Sequence, residues 1–279
     1  MLKKKLATAR RVYLEDGLRG LATAMGRKFG YAPPDRSRVD EVAIVSEALQ
    51  IEQWPGTMID VGGHFGGTAL PYCKAGWRVV AFEPDSRNRA KLVESIGSFA
   101  NATIDERALS NEEKDAVIFY RSDQSTGISG LSAFHETHVA ADTVAMTTLS
   151  KALAQHKIDK VDFLKIDTEG FDKFVLEGFP WDQMKPRVIV CEFEDFKTQP
   201  LGYDFRDFAT YLTSKGYSVL VSEWQPIVRY GIAHTWADFK AWPCALDSPK
   251  GWGNFIATMD PALRARIDTI CQRVKKSFH

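Results

Sequence analysis

The most constraining stretch of this 279-residue chain is Asp60-Val61-Gly62-Gly63-His64-Phe65-Gly66-Gly67, which follows the strand-like run TMIDV and opens a helix-like one. Glycines at a strand-to-helix turn let the backbone approach a ligand closely, and the start of the helix offers free N–H groups. The same strand-helix alternation recurs after it. TMIDVG, WRVVAFEPD, ATIDERALS, VDFLKID and RVIVCEF are short runs rich in Val, Ile and Phe, with helix-like segments between them that end near Gly76, Gly97 and Gly178. Such β-α-β units predict an α/β fold, Rossmann-like and doubly wound, with a mostly parallel sheet covered on both faces. YSVLVSEW and WGNFIAT supply two late strands, predicted as an antiparallel edge pair. Between Asp115 and Thr148 the pattern weakens into DAVIFY, the Ser/Gly-rich RSDQSTGISGLS and TVAMTTL, which reads as an inserted hairpin plus a loop of the kind that covers an active site.

The glycines at 62, 63, 66 and 67 do not meet the dinucleotide fingerprint G-x-G-x-x-G in any register, which disfavours a nicotinamide or flavin enzyme. What the turn carries instead is a carboxylate before the glycines, Asp60, and a second, Glu83, at the end of the next strand. That is where a Rossmann-like unit places the acid that accepts hydrogen bonds from ribose hydroxyls.

Three stretches together resemble the FkbM-type methyltransferases, which use S-adenosylmethionine and have the class I methyltransferase fold. DVGGHFGGTA is similar to the family's D-V-G-A-N-x-G segment, VVAFEPDSRNRAKL to its A-F-E-P segment, and VDFLKIDTEGFDKFVLEGF to its F-L-K-I-D-x-E-G segment. Asp60, Gly62, Gly66, Glu83, Asp167 and Glu169 match, while Gly63 and His64 stand where the family has Ala and Asn, Asp172 where it has Glu, and Ser150 where it often has Asp. The resemblance implies a methionine end held by Asp60, Gly62, Gly63, His64 and Gly66, and a ribose held by Glu83 beside Pro84. It implies an adenine near Glu106, Arg107 and Ala108, with Asp167 also against the cofactor. S-adenosylhomocysteine would be the product. It further implies O-methylation of a hydroxyl on a sugar, glycan or related small molecule; no nucleic-acid partner is expected, on the separate ground of charge. A cofactor-binding scaffold without catalysis is the competing class, and intact Asp60, Glu83, Asp167 and Glu169 speak against it.

Methyl transfer from a sulfonium releases a neutral thioether, so the protein's tasks are alignment and removal of the acceptor's proton. Asp167 and Glu169 end the FLKID strand and Glu192 and Glu194 the CEFE strand, where such a sheet opens to ligands. Lys165 shares a strand face with Asp167 and would favour its ionised form. Asp167 is the leading base and Glu192 the second, with Glu169 and Glu194 at the acceptor; the alternative is that these acids orient loops and cap helices. Asp167, Glu169 and Glu192 holding Mg²⁺ is a further alternative, although no spacing demands a metal and none is predicted. His135 and His138 are two ligands without a third. Trp224, Arg229, Tyr230 and His234, in SEWQPIVRYGIAH, combine rings, a guanidinium and an imidazole in the way a hydroxylated acceptor would require, or else belong to the core.

Basic and acidic residues number 36 each, yet residues 1–31 carry eight against two and residues 261–279 five against one, leaving the body at −10. An acidic body is a poor match for a polyanion. Leu2, Leu6, Ala9 and Tyr13 and then Leu263, Ile267, Ile270 and Val274 have helical spacing, so a basic amphipathic helix is predicted at each end, either packed on the acidic body or touching an anionic membrane surface or partner. The predicted organisation is a helical extension over 1–55, the cofactor-binding domain over 56–260 and the basic helix over 261–279. Four scattered cysteines and a charged start without an apolar signal core predict a cytoplasmic protein, at most peripheral to a membrane.

Overall fold

Runs of Val, Ile and Phe without a polar face must be covered on two sides, and the computed structural model, which describes residues 36–122, 125–230 and 232–278, builds them into the middle of an eight-stranded sheet. Helix α1 (Glu41–Leu49), capped by Asp40 through a 2.9 Å bond from the Ala43 amide, leads into β1 (Thr57–Val61). Then α2 (Ala69–Lys74), β2 (Arg78–Phe82), α3 (Ser86–Ile96) and β3 (Ala102–Asp105) complete two β-α-β units. The chain leaves that sheet for β4 (Ala108–Ser110), β5 (Lys114–Ser122) and β6 (His138–Thr148), a small second sheet in the order β4-β6-β5. It returns through α4 (Leu149–Gln155), β7 (Phe163–Ile166), α5 (Asp172–Glu177) and β8 (Val188–Glu194). The short α6 (Asp195–Thr198), α7 (Phe205–Ser214), β9 (Ser218–Trp224), β10 (Trp236–Ala241), β11 (Trp252–Thr258) and α8 (Pro261–Lys276) follow.

The strand order is β10-β9-β11-β8-β7-β1-β2-β3. β3, β2, β1, β7 and β8 run parallel, and the order reverses between β2 and β7 at β1, a topological switch point. The late strands β9 and β11 pair antiparallel as expected, but β11 is inserted between β8 and β9 and is no edge. Phe255 and Ala257 are buried in the core on one face of the sheet and Ile256 in the core on the other, as in a strand covered by both layers. The outer edge is β10, which carries the polar Asp238 and Lys240 and which hydropathy alone does not single out. ATIDERALS, read as one run, is two strands in two sheets, because the Asp105 side chain accepts the Arg107 amide at 3.0 Å and turns the chain between them.

Strand alternation divides the core. Ile59, Val61, Leu164, Ile189 and Phe255 face α4, α5 and α7 through Leu153, Leu176 and Phe208. Met58, Val79, Phe163 and Val190 face α1, α2, α3 and α8 through Val45, Tyr72, Leu92 and Leu263. Helix α8 buries Leu263, Ile267, Ile270 and Cys271, while Arg273 bonds Glu47, Lys275 lies 2.5 Å from Asp238 and Arg266 donates to the Ala48 carbonyl at 2.9 Å. The helical stretch read over 1–31 lies outside the described residues. No helix among the described residues is long and apolar enough to cross a membrane.

Phe255 is fully buried, with ring centroids 4.6 Å from Phe193, 5.4 Å from Phe205 and 5.3 Å from Phe208. Phe255→Ala is expected to lower unfolding stability by about 3–5 kcal/mol, read as a lower denaturant midpoint at unchanged slope.

Candidate active site

Asp60 and Lys165 are register partners across β1 and β7, so their side chains leave the sheet on the same face. Asp60 is fully buried and Lys165 nearly so, with 3.3 Å between Nζ and Oδ1. This is a close ion pair without hydrogen-bond alignment, since neither Asp60 oxygen has an aligned donor. Burial pushes the Asp60 carboxyl up, against the pull of Lys165, whereas for Lys165 burial is outweighed by Asp60 and Asp167 and the ammonium is held above its ordinary value. The Lys165 Nζ also donates to the Gly62 carbonyl at 2.7 Å and lies 3.7 Å from Asp167. Gly62 has φ +79°, and a Cβ there would come within 1.9 Å of the Asp167 carbonyl oxygen, so this glycine is required by the close approach of the two strand ends.

Next to this pair, the turn is tied to β2. The Gly62 and Gly63 amides donate to the Phe82 carbonyl at 3.0 and 2.9 Å. The Glu83 carboxylate accepts the His64 amide at 2.7 Å on one oxygen and the Asp85 amide at 2.9 Å on the other. Burial, against those two hydrogen bonds, lifts the Glu83 carboxyl from its ordinary 4.5 to about 7. With one donor on each oxygen, the carboxylate retains acceptor capacity, and Glu83 lines a cavity of about 360 Å³ at the C-terminal ends of β1, β2 and β7.

That cavity is lined on the side of β1 and β2 by Gly62, Gly63, His64, Glu83, Pro84 and Arg107. The segment 125–131 covers it, with Thr126 Oγ1 3.0 Å from His64 Nε2 and the Thr126 carbonyl accepting from Asn88 at 3.2 Å. On the side of β7 Asp167, Thr168 and Glu169 line it. Glu169, at φ 57°, is buried, and burial lifts its carboxyl to about 7 against the attraction of Lys197. Behind it the buried Lys197 Nζ stands 2.6 Å from Glu169, 2.8 Å from Glu192 and 2.8 Å from Glu194. Asp172 braces the wall: it accepts from the Thr168 amide and hydroxyl and, on its other oxygen, from the Glu192 amide at 3.0 Å.

Of the residues singled out from the sequence, Gly62, Gly63, His64, Glu83, Pro84, Arg107, Ala108, Asp167 and Glu169 meet at this cavity. Asp60 lies beneath its floor and acts on it through Lys165. Gly66 packs on α3, where a Cβ would meet Leu92 at 2.9 Å. Glu106 points outward to Arg89 at 3.2 Å, because the turn at 105–107 directs only its Arg107 side inward. Glu192 and Glu194 face Lys197 and not the cavity. Trp224 is core, its indole N–H donating to Glu41 at 2.8 Å; Arg229 is exposed on the loop; Tyr230 donates to Glu194 at 3.2 Å; His234 stands against the Trp252 ring. None of these four lines the cavity. His138 and His135 are engaged locally, 2.7 Å from the Ile128 carbonyl and 2.8 Å from the Thr137 hydroxyl. Lys197 was missed; its signal is a lysine three residues after Glu194 across a strand-to-helix junction, within one helical turn.

The cavity suits a nucleoside cofactor. Its volume falls in the range of about 300–1,000 Å³ typical of such sites, and Gly67 lines it with nothing within 4 Å of where a Cβ would be. A sheet ordered about a switch point, with a glycine turn and a buried carboxylate at the end of the neighbouring strand, is a Rossmann-like fold of the class I methyltransferase type. The sequence of the FkbM methyltransferase domain matches over residues 60–219, more than half of the chain, and the chain belongs to that family of S-adenosylmethionine-dependent methyltransferases. No curated protein matches it. Among solved structures, it is similar to the O-methyltransferase TomG of Streptomyces achromogenes, in complex with S-adenosylmethionine, at 11% identity over 88% of this chain and 91% of that one (TM-score 0.41). An O-methyltransferase of Bacillus cereus is 13% identical over 92% and 98% (TM-score 0.38). The magnesium protoporphyrin IX methyltransferase of Synechocystis PCC 6803 is 12% identical over 92% and 94% (TM-score 0.39).

The raised Glu83 carboxyl has a signed consequence. Between its ordinary 4.5 and about 7 the folded state holds a proton that the unfolded state has released, so stability falls as pH rises through that window. Glu83→Gln is expected to flatten the ligand-free protein's stability profile there by at most roughly 3 kcal/mol, measured by denaturant unfolding at a series of pH values. An equally steep profile in the variant would assign the slope to other groups.

Proposed function

We propose that this methyltransferase transfers the methyl group of S-adenosylmethionine to a hydroxyl of a sugar, glycan or related small molecule, with Glu169 receiving the hydroxyl proton. The observation that carries the reading is the pair of carboxylates, Asp167 and Glu169, facing the same cavity as Glu83. The cofactor supplies a methyl group on a sulfonium. The chain's own residues hold and orient: the glycine turn approaches the methionine end, Glu83 accepts from the ribose hydroxyls, and Arg107 and Ala108 flank the base. A general base works best with a pKa near the working pH, and Glu169 at about 7 meets that condition. Glu192, turned to Lys197, is withdrawn from the role of second base. Asp167, with its side chain 46% exposed, is a positioning group for the acceptor on this reading. The sugar or glycan class rests on the family resemblance.

Calorimetry is expected to show saturable binding of S-adenosylmethionine and S-adenosylhomocysteine and none of NAD; binding of NAD alone would overturn the reading. Against a panel of saccharide acceptors, with S-adenosylhomocysteine release as the readout, Glu169→Gln should keep cofactor affinity and lose roughly 10²- to 10⁴-fold in turnover. Asp167→Asn should lose less. The reverse ranking would make Asp167 the base, and cofactor binding without turnover on any acceptor would favour the scaffold class.

A further inference from the structure

Asp167, Glu169 and Glu192 each offer an oxygen within 4.8 Å of the others, a spread that carboxylates around a divalent cation also show. The centre next to them is filled. Lys197, 2% exposed, reaches Glu169, Glu192 and Glu194 at 2.6–2.8 Å, only slightly longer than the roughly 2.0–2.6 Å of oxygen to Mg²⁺ or Ca²⁺. On the remaining sides the rings of Phe134 and Tyr230 lie 5.4 and 5.9 Å from its Nζ, in the range of a cation facing a π-system. Aromatic faces leave no room for the waters that a magnesium ion usually retains, but they suit an ammonium.

We propose that Lys197 is a built-in cation: its ammonium takes the place a divalent metal ion holds in carboxylate-cluster sites, fixes Glu169 at the cavity wall, and makes the acceptor side independent of metal. Three carboxylates against one ammonium would leave excess negative charge in a buried place, and the carboxyl of Glu192, which burial pushes well up, relieves it by retaining a proton and leaves Glu169 free to accept one. Ammonium plus proton carry the charge of one divalent ion. Lys197 touches no reacting atom in this arrangement and is a positioning residue. The inference rests on the methyltransferase reading only for its bearing on the acceptor.

The test is a Mn²⁺ titration of the full-length protein without cofactor, read by the free-ion paramagnetic resonance signal. Wild type is expected to show no saturable site at the cluster, and Lys197→Ala is expected to gain one that binds at least about tenfold more tightly than any wild-type binding and disappears on adding Glu192→Gln. A wild-type site of equal affinity that Glu192→Gln abolishes would overturn the proposal, as would a folded Lys197→Ala with no gain. If Lys197→Ala does not fold, Lys197→Gln and refolding of both variants with Mn²⁺ replace it: recovery by the ion supports the proposal, and failure in both overturns it. S-adenosylmethionine binding to wild type, measured separately, keeps this outcome distinct from failure of the methyltransferase reading.

Discussion

The active-site geometry hangs on a buried ion pair between neighbouring strands. Lys165 on β7 meets Asp60 on β1 under the cavity floor and donates to the carbonyl of Gly62, so one ammonium fixes the strand pair and the turn above it. Removing one partner of such a pair would leave the other buried and uncompensated, which typically costs about 3–5 kcal/mol. The pair also sets the distance between the two ligand-facing strand ends, since Gly62 and Asp167 touch through backbone. Placement of Glu83 follows from there: the turn presents the His64 amide to its carboxylate, and the start of α3 presents that of Asp85.

A second buried network holds the flank of the sheet where β9 and β11 lie. Glu41 at the start of α1 accepts from the Ser222 hydroxyl at 2.6 Å and the Trp224 indole at 2.8 Å, and Trp236 donates to Ser222 at 3.1 Å. Burial pushes the Glu41 carboxyl up and these hydrogen bonds oppose it. Glu41 and Asn254 of β11 both reach the cavity, so the helix before β1 and the antiparallel strand close one wall together. Trp224 and Trp236 therefore serve this network and the packing around it, and Trp224 is unavailable to stack on a ligand.

The β-α-β framework, the glycine turn and Glu83 are legible in the sequence because each is a local pattern: strand runs, turn residues, an acid at a strand end. The same holds for Asp167 and Glu169. Lys197 is not legible in this way, since its role depends on Glu169 arriving from another strand end, and no periodicity within a single element reveals a contact made across the fold. The Glu41 network joins residues 181 positions apart. Strand β10 escapes notice because an edge strand need bury only part of one face, and Asp238 and Lys240 break the apolar run. Glu192 and Glu194 are legible as acids at the end of β8, but the direction in which each carboxylate turns is decided by the lysine of α6.

The segment at 125–131 joins the two halves of the cavity. Thr126 bonds His64 and Asn88 on one side, while on the other Gly130 stands so close to Glu169 that a Cβ there would come within 3.3 Å of the glutamate's Cβ. One stretch of backbone thus carries contacts to the glycine turn and to the wall at Glu169, so its position sets the width of the cavity on both sides at once. A substitution that bulks up Gly130 would therefore be felt at both walls, since the residue that meets Glu169 lies four positions from the one that meets His64.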